Sequence, residues 1–274
     1  MRPRAIAKLA ACPVTVLLET LSEGLALIAE HVAALESAIA EPSVRRASAA
    51  TRVVSEEEAG KYLVLLDVVR CARASGRTKS KQLKRANNHL AKGIYARAAE
   101  IRPATFGELL DYVETLRRSH YLDGPNDVDW IFRNEIEARR EEQLYVDFVE
   151  TDDGDVWQSP RTWDDLAFDP PSDAAELVAS LHRVGFSTLK GLDIVSDVWE
   201  AFAPDRDAHW QDVEALSVAT LERLTDAHGE PVDDGDLARI LRMWTFPLWH
   251  VELDRIKIDL DELRKRQLSW HPDL

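Results

Sequence analysis

Apolar residues recur at three- and four-residue steps near the start of the chain: Leu17, Leu18, Leu21, Leu25, Ile28, Val32, Leu35 and Ile39. That spacing lays one apolar stripe along a helix from about Val14 to Ala40. Glu41-Pro42-Ser43 ends it, because proline cannot continue the backbone ladder. A second helix is predicted from about Val44 to Ala74, burying Val53, Leu63, Leu66 and Val69 and stopped by Gly76. A third follows from about Ser80 to Ile101. Thr105 is a helix N-cap with Glu108 to complete a capping box, so a fourth helix covers Phe106 to about Ser119. After a loop at Asp123 to Asp127, a fifth runs from Val128 to about Glu142. Leu144 to Phe148 and Val156-Trp157 then flank an Asp-Gly turn, the pattern of a small β-hairpin.

Residues Ser159 to Ser172 are rich in Pro and Asp and mark a boundary. Beyond it, helices are predicted at about Ser172 to Val184, Ser187 to Phe202, Ala208 to His228, Gly235 to Leu248 and Asp259 to Gln267. Ser172 and Ser187 serve as N-caps, and Gly185 and Gly229 as stops. The fold class is therefore all-α: a helical bundle with a small hairpin over 1–158, then a second helical domain over 159–274. Trp163, Trp199, Trp210, Trp244, Trp249 and Trp270 all follow Ser159 and read as core or interface anchors.

Charge changes the picture. The formal net charge is −15, which argues against a generic nucleic-acid coat. Yet Arg70 to Arg102 holds ten Lys or Arg against Glu100 alone, leaving the rest of the chain at −24. Two cysteines, Cys12 and Cys71, supply neither a disulfide framework nor a metal-ligand set, which fits a reducing, cytoplasmic setting. Arg2, Arg4 and Lys8 precede an apolar run, but Pro13 interrupts it, so no signal peptide is expected. No stretch approaches the roughly 18 unbroken apolar residues of a membrane span. Neither a metal site nor a cofactor fingerprint is legible: no His-Glu-x-x-His, no Walker or dinucleotide glycine pattern, no nucleophile elbow.

The stretch Glu56 to Lys92 carries the candidate chemistry. Glu57 and Lys61 stand four apart and can pair on a helix face. Gly60 between them costs about 1 kcal/mol relative to alanine, which implies close approach by another helix or a substrate. Lys81, Arg85, His89 and Lys92 fall on one stripe of the third helix. An imidazole flanked by cations stays neutral and able to accept a proton, and the cations can hold a phosphodiester. These are the parts a metal-free ribonuclease needs, with the RNA 2′-hydroxyl as nucleophile. A solvated helix face accounts for the same stripe without chemistry.

Three elements resemble the AbiV abortive-infection family: Arg46-Ala47 leading into Glu57-Glu58-Ala59-Gly60-Lys61, His89-Leu90-Ala91-Lys92, and Arg140 followed by Leu144-Tyr145-Val146-Asp147. They span about Leu21 to Trp157. The resemblance implies an antiphage role in bacteria and a HEPN-like bundle, a superfamily with many metal-independent ribonucleases that work as homodimers. The usual HEPN catalytic spacing is Arg, four to six residues, then His. Here Arg85 precedes His89 by three intervening residues, a departure from it.

On these grounds the cleft is expected to gather Glu57, Glu58, Lys61 and His89 as catalytic groups. His89 is the general base or acid, and Glu57 or Glu58 orients it or Lys61. Arg85, Lys92, Arg140 and Tyr145 are expected to hold RNA phosphates. The alternative is a non-catalytic helical protein that blocks phage development by binding a phage or host protein.

Overall fold

The computed structural model of the chain describes residues 5–40, 45–121, 132–151, 154–160, 171–228 and 231–270. The fold is all-α, with two short two-stranded ladders. A 3₁₀ turn at Ile6–Ala11 precedes α1 (Val14–Ile39), which buries Leu17, Leu18, Leu21, Leu25, Ala29 and Val32 as one stripe. α2 (Arg45–Arg70) is the central element, packed against α1 and against helices from later in the chain. From Tyr62 to Val69 every α2 residue is buried, so this half is apolar almost all round, as suits a helix enclosed by neighbours.

The predicted third helix is two helices, α3 (Gly76–Arg85) and α4 (His89–Ala98). The cause is Asn88, which is extended (φ −100°, ψ 119°) and caps α4 by accepting from the Ala91 N–H at 2.9 Å. Asn competes with the helix ladder for backbone donors, and here it wins. Gly76 starts α3 after the Ser75 cap; it does not stop α2, which ends six residues earlier.

α5 (Phe106–Arg117) begins at the predicted Thr105 cap, whose Oγ1 accepts from the Glu108 N–H at 3.3 Å. Glu108 reaches back to the Ala104 N–H, one residue earlier than a standard box. β1 (His120–Tyr121) pairs with β2 (Phe132–Arg133), so residues 132–133 are strand where helix was expected. α6 (Glu135–Leu144) starts at Asn134, which caps it and donates to the Leu116 and Arg118 carbonyls. The predicted hairpin is present as β3 (Asp147–Thr151) and β4 (Gly154–Gln158), with Gly154 at φ 110° in its turn.

After residue 170 come α7 (Asp173–Val184), α8 (Leu189–Val198), α9 (Trp210–His228), α10 (Asp234–Met243) and α11 (Leu260–Trp270). Ser172 caps α7 and Gly185 closes it at φ 100°, as predicted. Thr188, not Ser187, caps α8; Ser187 is buried between Tyr62 and His182. Residues 244–248, expected to be helical, are irregular. The Pro42 stop, the Asp123–Asp127 loop, most of the 159–172 boundary and Gly229 lie outside the described residues. One contiguous apolar cluster runs from Leu17 on α1 through Leu181 on α7 to Leu253, so the segments on either side of that boundary share a core. Among the described residues no helix is long and apolar enough to cross a membrane.

Candidate active site

Two glycines let three helices meet. A Cβ on Gly60 of α2 would run into the Lys92 backbone carbonyl on α4, and a Cβ on Gly93 of α4 would run into Ile136 of α6. The helix approach expected from Gly60 is therefore present, at the turn of α4 that follows Asn88. It brings Glu57, one turn before Gly60, against the first turn of α4 and the middle of α6.

Glu57 is the hub. Its Oε1 accepts from His89 Nδ1 at 2.7 Å and from Arg140 Nε at 2.8 Å, and its Oε2 accepts from Lys92 Nζ at 2.7 Å. The Lys92 side chain is only 8 % exposed, whereas that of His89 is 47 % exposed. A carboxylate on Nδ1 makes that nitrogen the donor and leaves Nε2 the acceptor, on a ring open to solvent. Burial pushes the Glu57 carboxyl upward, but the hydrogen bonds and charges of Lys92 and His89 outweigh it and hold the group below its ordinary value. Its neighbour Glu56 goes the other way. Burial raises it, and Arg139, Arg52 and Arg97 only partly offset the rise. Adjacent carboxylates with opposite shifts are a mark of functional sites, though ion networks also produce them.

The cleft between α2, α4 and α6 encloses about 50 Å³ and is lined by Val53, Glu56, Glu57, His89, Ile136 and Arg140, among others. Small-molecule sites run to roughly 300–1,000 Å³, so it is too small to enclose a nucleotide. A large substrate has to approach His89 from its outer side. Arg139, which lines the same cleft, is 44 % exposed and pairs with Glu56 at 3.4 Å.

Of the expected site residues, Glu57, His89, Lys92 and Arg140 come together. The others do not. Lys61 pairs with Glu58 at 2.9 Å, three residues apart on α2, in place of the anticipated Glu57–Lys61 pair. Arg85 is buried, donating to Gln82 Oε1 at 2.8 Å, the Leu248 carbonyl at 2.9 Å and the Val251 carbonyl. The break at Asn88 takes it off the stripe that carries His89. Lys81, on the same predicted stripe, pairs with Glu252. Tyr145 lies past the end of α6 and is exposed. Glu56, Arg97 and Arg139 also line the cleft and were given no role in advance, although Glu56 opens the stretch singled out and Arg139 adjoins Arg140.

A second carboxylate of α2, also missed, organises a wholly buried network. Asp67 accepts from Arg70 Nη1 at 3.0 Å, the Tyr95 hydroxyl at 2.6 Å and the Leu248 N–H at 2.7 Å. Arg70 is sandwiched between the Trp199 and Trp244 rings, at 3.9 and 3.8 Å from their centroids. Family descriptions, curated proteins and solved structures were compared with this chain, and none matches.

Proposed function

We propose that this chain is an abortive-infection protein of the kind its three sequence elements resemble, with a HEPN-like bundle acting as a metal-independent ribonuclease. The observation that carries the reading is Glu57 holding His89 by Nδ1 while the ring stays open to solvent. In the reaction, His89 Nε2 takes the proton of an RNA 2′-hydroxyl, which attacks the adjacent phosphorus. The phosphorus–O5′ bond breaks, and the leaving oxygen receives a proton from the imidazolium or from water. The products are a 2′,3′-cyclic phosphate and a 5′-hydroxyl. Glu57 fixes the ring and stabilises the imidazolium, the part a carboxylate plays behind histidine in hydrolytic triads. Arg139 and Arg140, which line the same cleft as His89, are the cations this reading assigns to the phosphate, while Lys92, tied to Glu57, keeps that carboxylate ionised.

On this reading the protein acts in the cytoplasm, and the resemblance implies a second copy completing the cleft. A single 30.9 kDa species in light scattering at micromolar concentration removes the dimer from the reading. The second reading, a non-catalytic binder of a phage or host protein, is favoured by one observation: Lys92 and Arg140 are both committed to Glu57, as in a clasp between helices.

Wild-type and His89→Ala protein incubated with total RNA in EDTA separate the two. The ribonuclease reading expects cyclic-phosphate ends from wild type and a loss of about 10²–10⁴-fold in the variant. Intact RNA with both proteins, alongside phage resistance that survives His89→Ala, favours the binder.

A further inference from the structure

A cavity of about 440 Å³ lies between the start of α9, the Pro103-Ala104 turn before α5 and the irregular segment after α10. It shares no lining residue with the His89 cleft. Its volume falls in the range of small-molecule sites, roughly 300–1,000 Å³.

The walls are fixed by the backbone. Trp210 N–H donates to the Ala104 carbonyl at 3.0 Å, Phe106 N–H donates to the Ala208 carbonyl at 2.9 Å, and Thr105 bridges His209. Trp210, Val213, Glu214 and Ser217 stand at steps of three, one and three, so one face of α9 looks into the cavity. Trp244 and Phe246 form an apolar floor that continues into the core through Trp199, Phe186 and Phe106. Trp210, by contrast, is 41 % exposed.

Charge is placed at the rim. Among the described residues neither Arg102 nor Arg242 forms an ion pair; Arg242 donates only to Met243 Sδ, at 3.5 Å. The two arginines also border an adjoining cleft with Glu100 and Asp173, but Glu100 is engaged by Arg97 at 3.0 Å. Among the described residues Glu214 forms no ion pair either. One cavity thus offers two unpaired guanidinium groups, one unpaired carboxylate and an aromatic floor.

We infer that this cavity binds a free α-amino acid with a large apolar side chain. The α-carboxylate meets Arg102 and Arg242, the α-ammonium meets Glu214, and the side chain lies against Trp210, Trp244 and Phe246. Guanidinium groups present paired donors that match a carboxylate, and a zwitterion answers both signs of charge at once.

Isothermal titration of the full chain with L-tryptophan and L-phenylalanine tests this, with tryptamine and indole-3-propionate as probes lacking one charge each. Saturable binding of the amino acids is expected, weakened about ten-fold or more by removing either charge from the ligand. The variants have to reproduce that selectivity: Arg102→Gln/Arg242→Gln no longer distinguishes L-tryptophan from tryptamine, and Glu214→Gln no longer distinguishes it from indole-3-propionate. A thermal melt on each variant confirms that it is folded. No heat at millimolar amino acid, or wild-type affinity in both variants, overturns the inference. So does N-acetyl-L-tryptophan binding as well as L-tryptophan, because that probe carries the carboxylate of a chain terminus and no ammonium.

Discussion

Glu57 and Asp67 sit ten residues apart on the same helix, and both face α4, yet they are different objects. Asp67 is closed on every side: a cation stacked between two tryptophans, a buried phenol and a backbone N–H complete its hydrogen bonds. Burial brings the Arg70 guanidinium down to about 10, against the pull of Asp67, and raises the Tyr95 phenol well above its usual value. Glu57 also collects three donors, but one of them is an imidazole that reaches water. Asp67 and its partners Arg70, Tyr95 and Leu248 are all buried, so none of them meets solvent. A carboxylate whose partner is exposed and titratable can take part in a reaction. The comparison separates strength of pairing from access, and access marks the candidate site.

The largest effect is expected at the enclosed centre. Asp67→Ala leaves the Arg70 charge buried without its carboxylate, and breaking such a pair costs about 3–5 kcal/mol. Thermal unfolding should drop by on the order of 10 °C. Replacing both partners with apolar residues of similar size, as in Asp67→Leu/Arg70→Met, should recover part of that loss, because no charge is then stranded. A single variant within 1 kcal/mol of wild type would show that water or a rearranged chain reaches Arg70, and the contrast with Glu57 would disappear.

The helices, the hairpin and several caps were legible because each follows from local rules: apolar steps on α1, Asp-Gly in the hairpin, Thr105 and Ser172 at helix starts. The failures have physical causes too. Asn88 lies inside the predicted third helix, but its side chain competes with the ladder, and the break there takes Arg85 off the His89 stripe. Arg70 and Arg85 belong to the basic stretch, with Arg85 expected at the phosphate, and Asp67 lies in an apolar run with nothing to single it out. Besides nearer partners, each bonds a carbonyl or an N–H of residues 245–251, more than 160 positions away, and no periodicity encodes those. His89 and Lys92 were singled out by the basic stripe and the resemblance, and Gly60 signalled the helix contact at which they meet Glu57.

A smaller effect, of opposite sign at neighbouring positions, is expected from Glu57→Gln and Glu56→Gln. The Glu57 carboxyl is held below its ordinary value of 4.5, so its contribution is present above that pH and fades as pH falls through the lowered value. Glu57→Gln should cost about 1–3 kcal/mol at pH 7, since Lys92 loses its ionic partner, and less in acid. Glu56 is raised, so it favours the fold below 4.5 and weighs against it as pH climbs through the raised value. Glu56→Gln should be neutral or stabilising at pH 7, by at most about 1 kcal/mol, because the Arg139 contact is long and half exposed. Urea unfolding at neutral and acid pH reads both. If the two variants shift in the same direction at pH 7, the opposed environments assigned to these carboxylates are wrong.

The smallest effect on stability is expected at the residue with the largest proposed effect on activity. His89 is exposed and makes one charge-assisted bond, so His89→Ala should cost no more than about 1 kcal/mol in urea unfolding. Its effect belongs on RNA cleavage. The ratio of the two losses is the sharpest form of the comparison: Asp67→Ala loses fold, and His89→Ala loses chemistry while keeping the fold. A His89→Ala variant as unstable as Asp67→Ala would make the imidazole a strut between α2 and α4. Glu57 would then be a second structural centre that happens to lie nearer the surface.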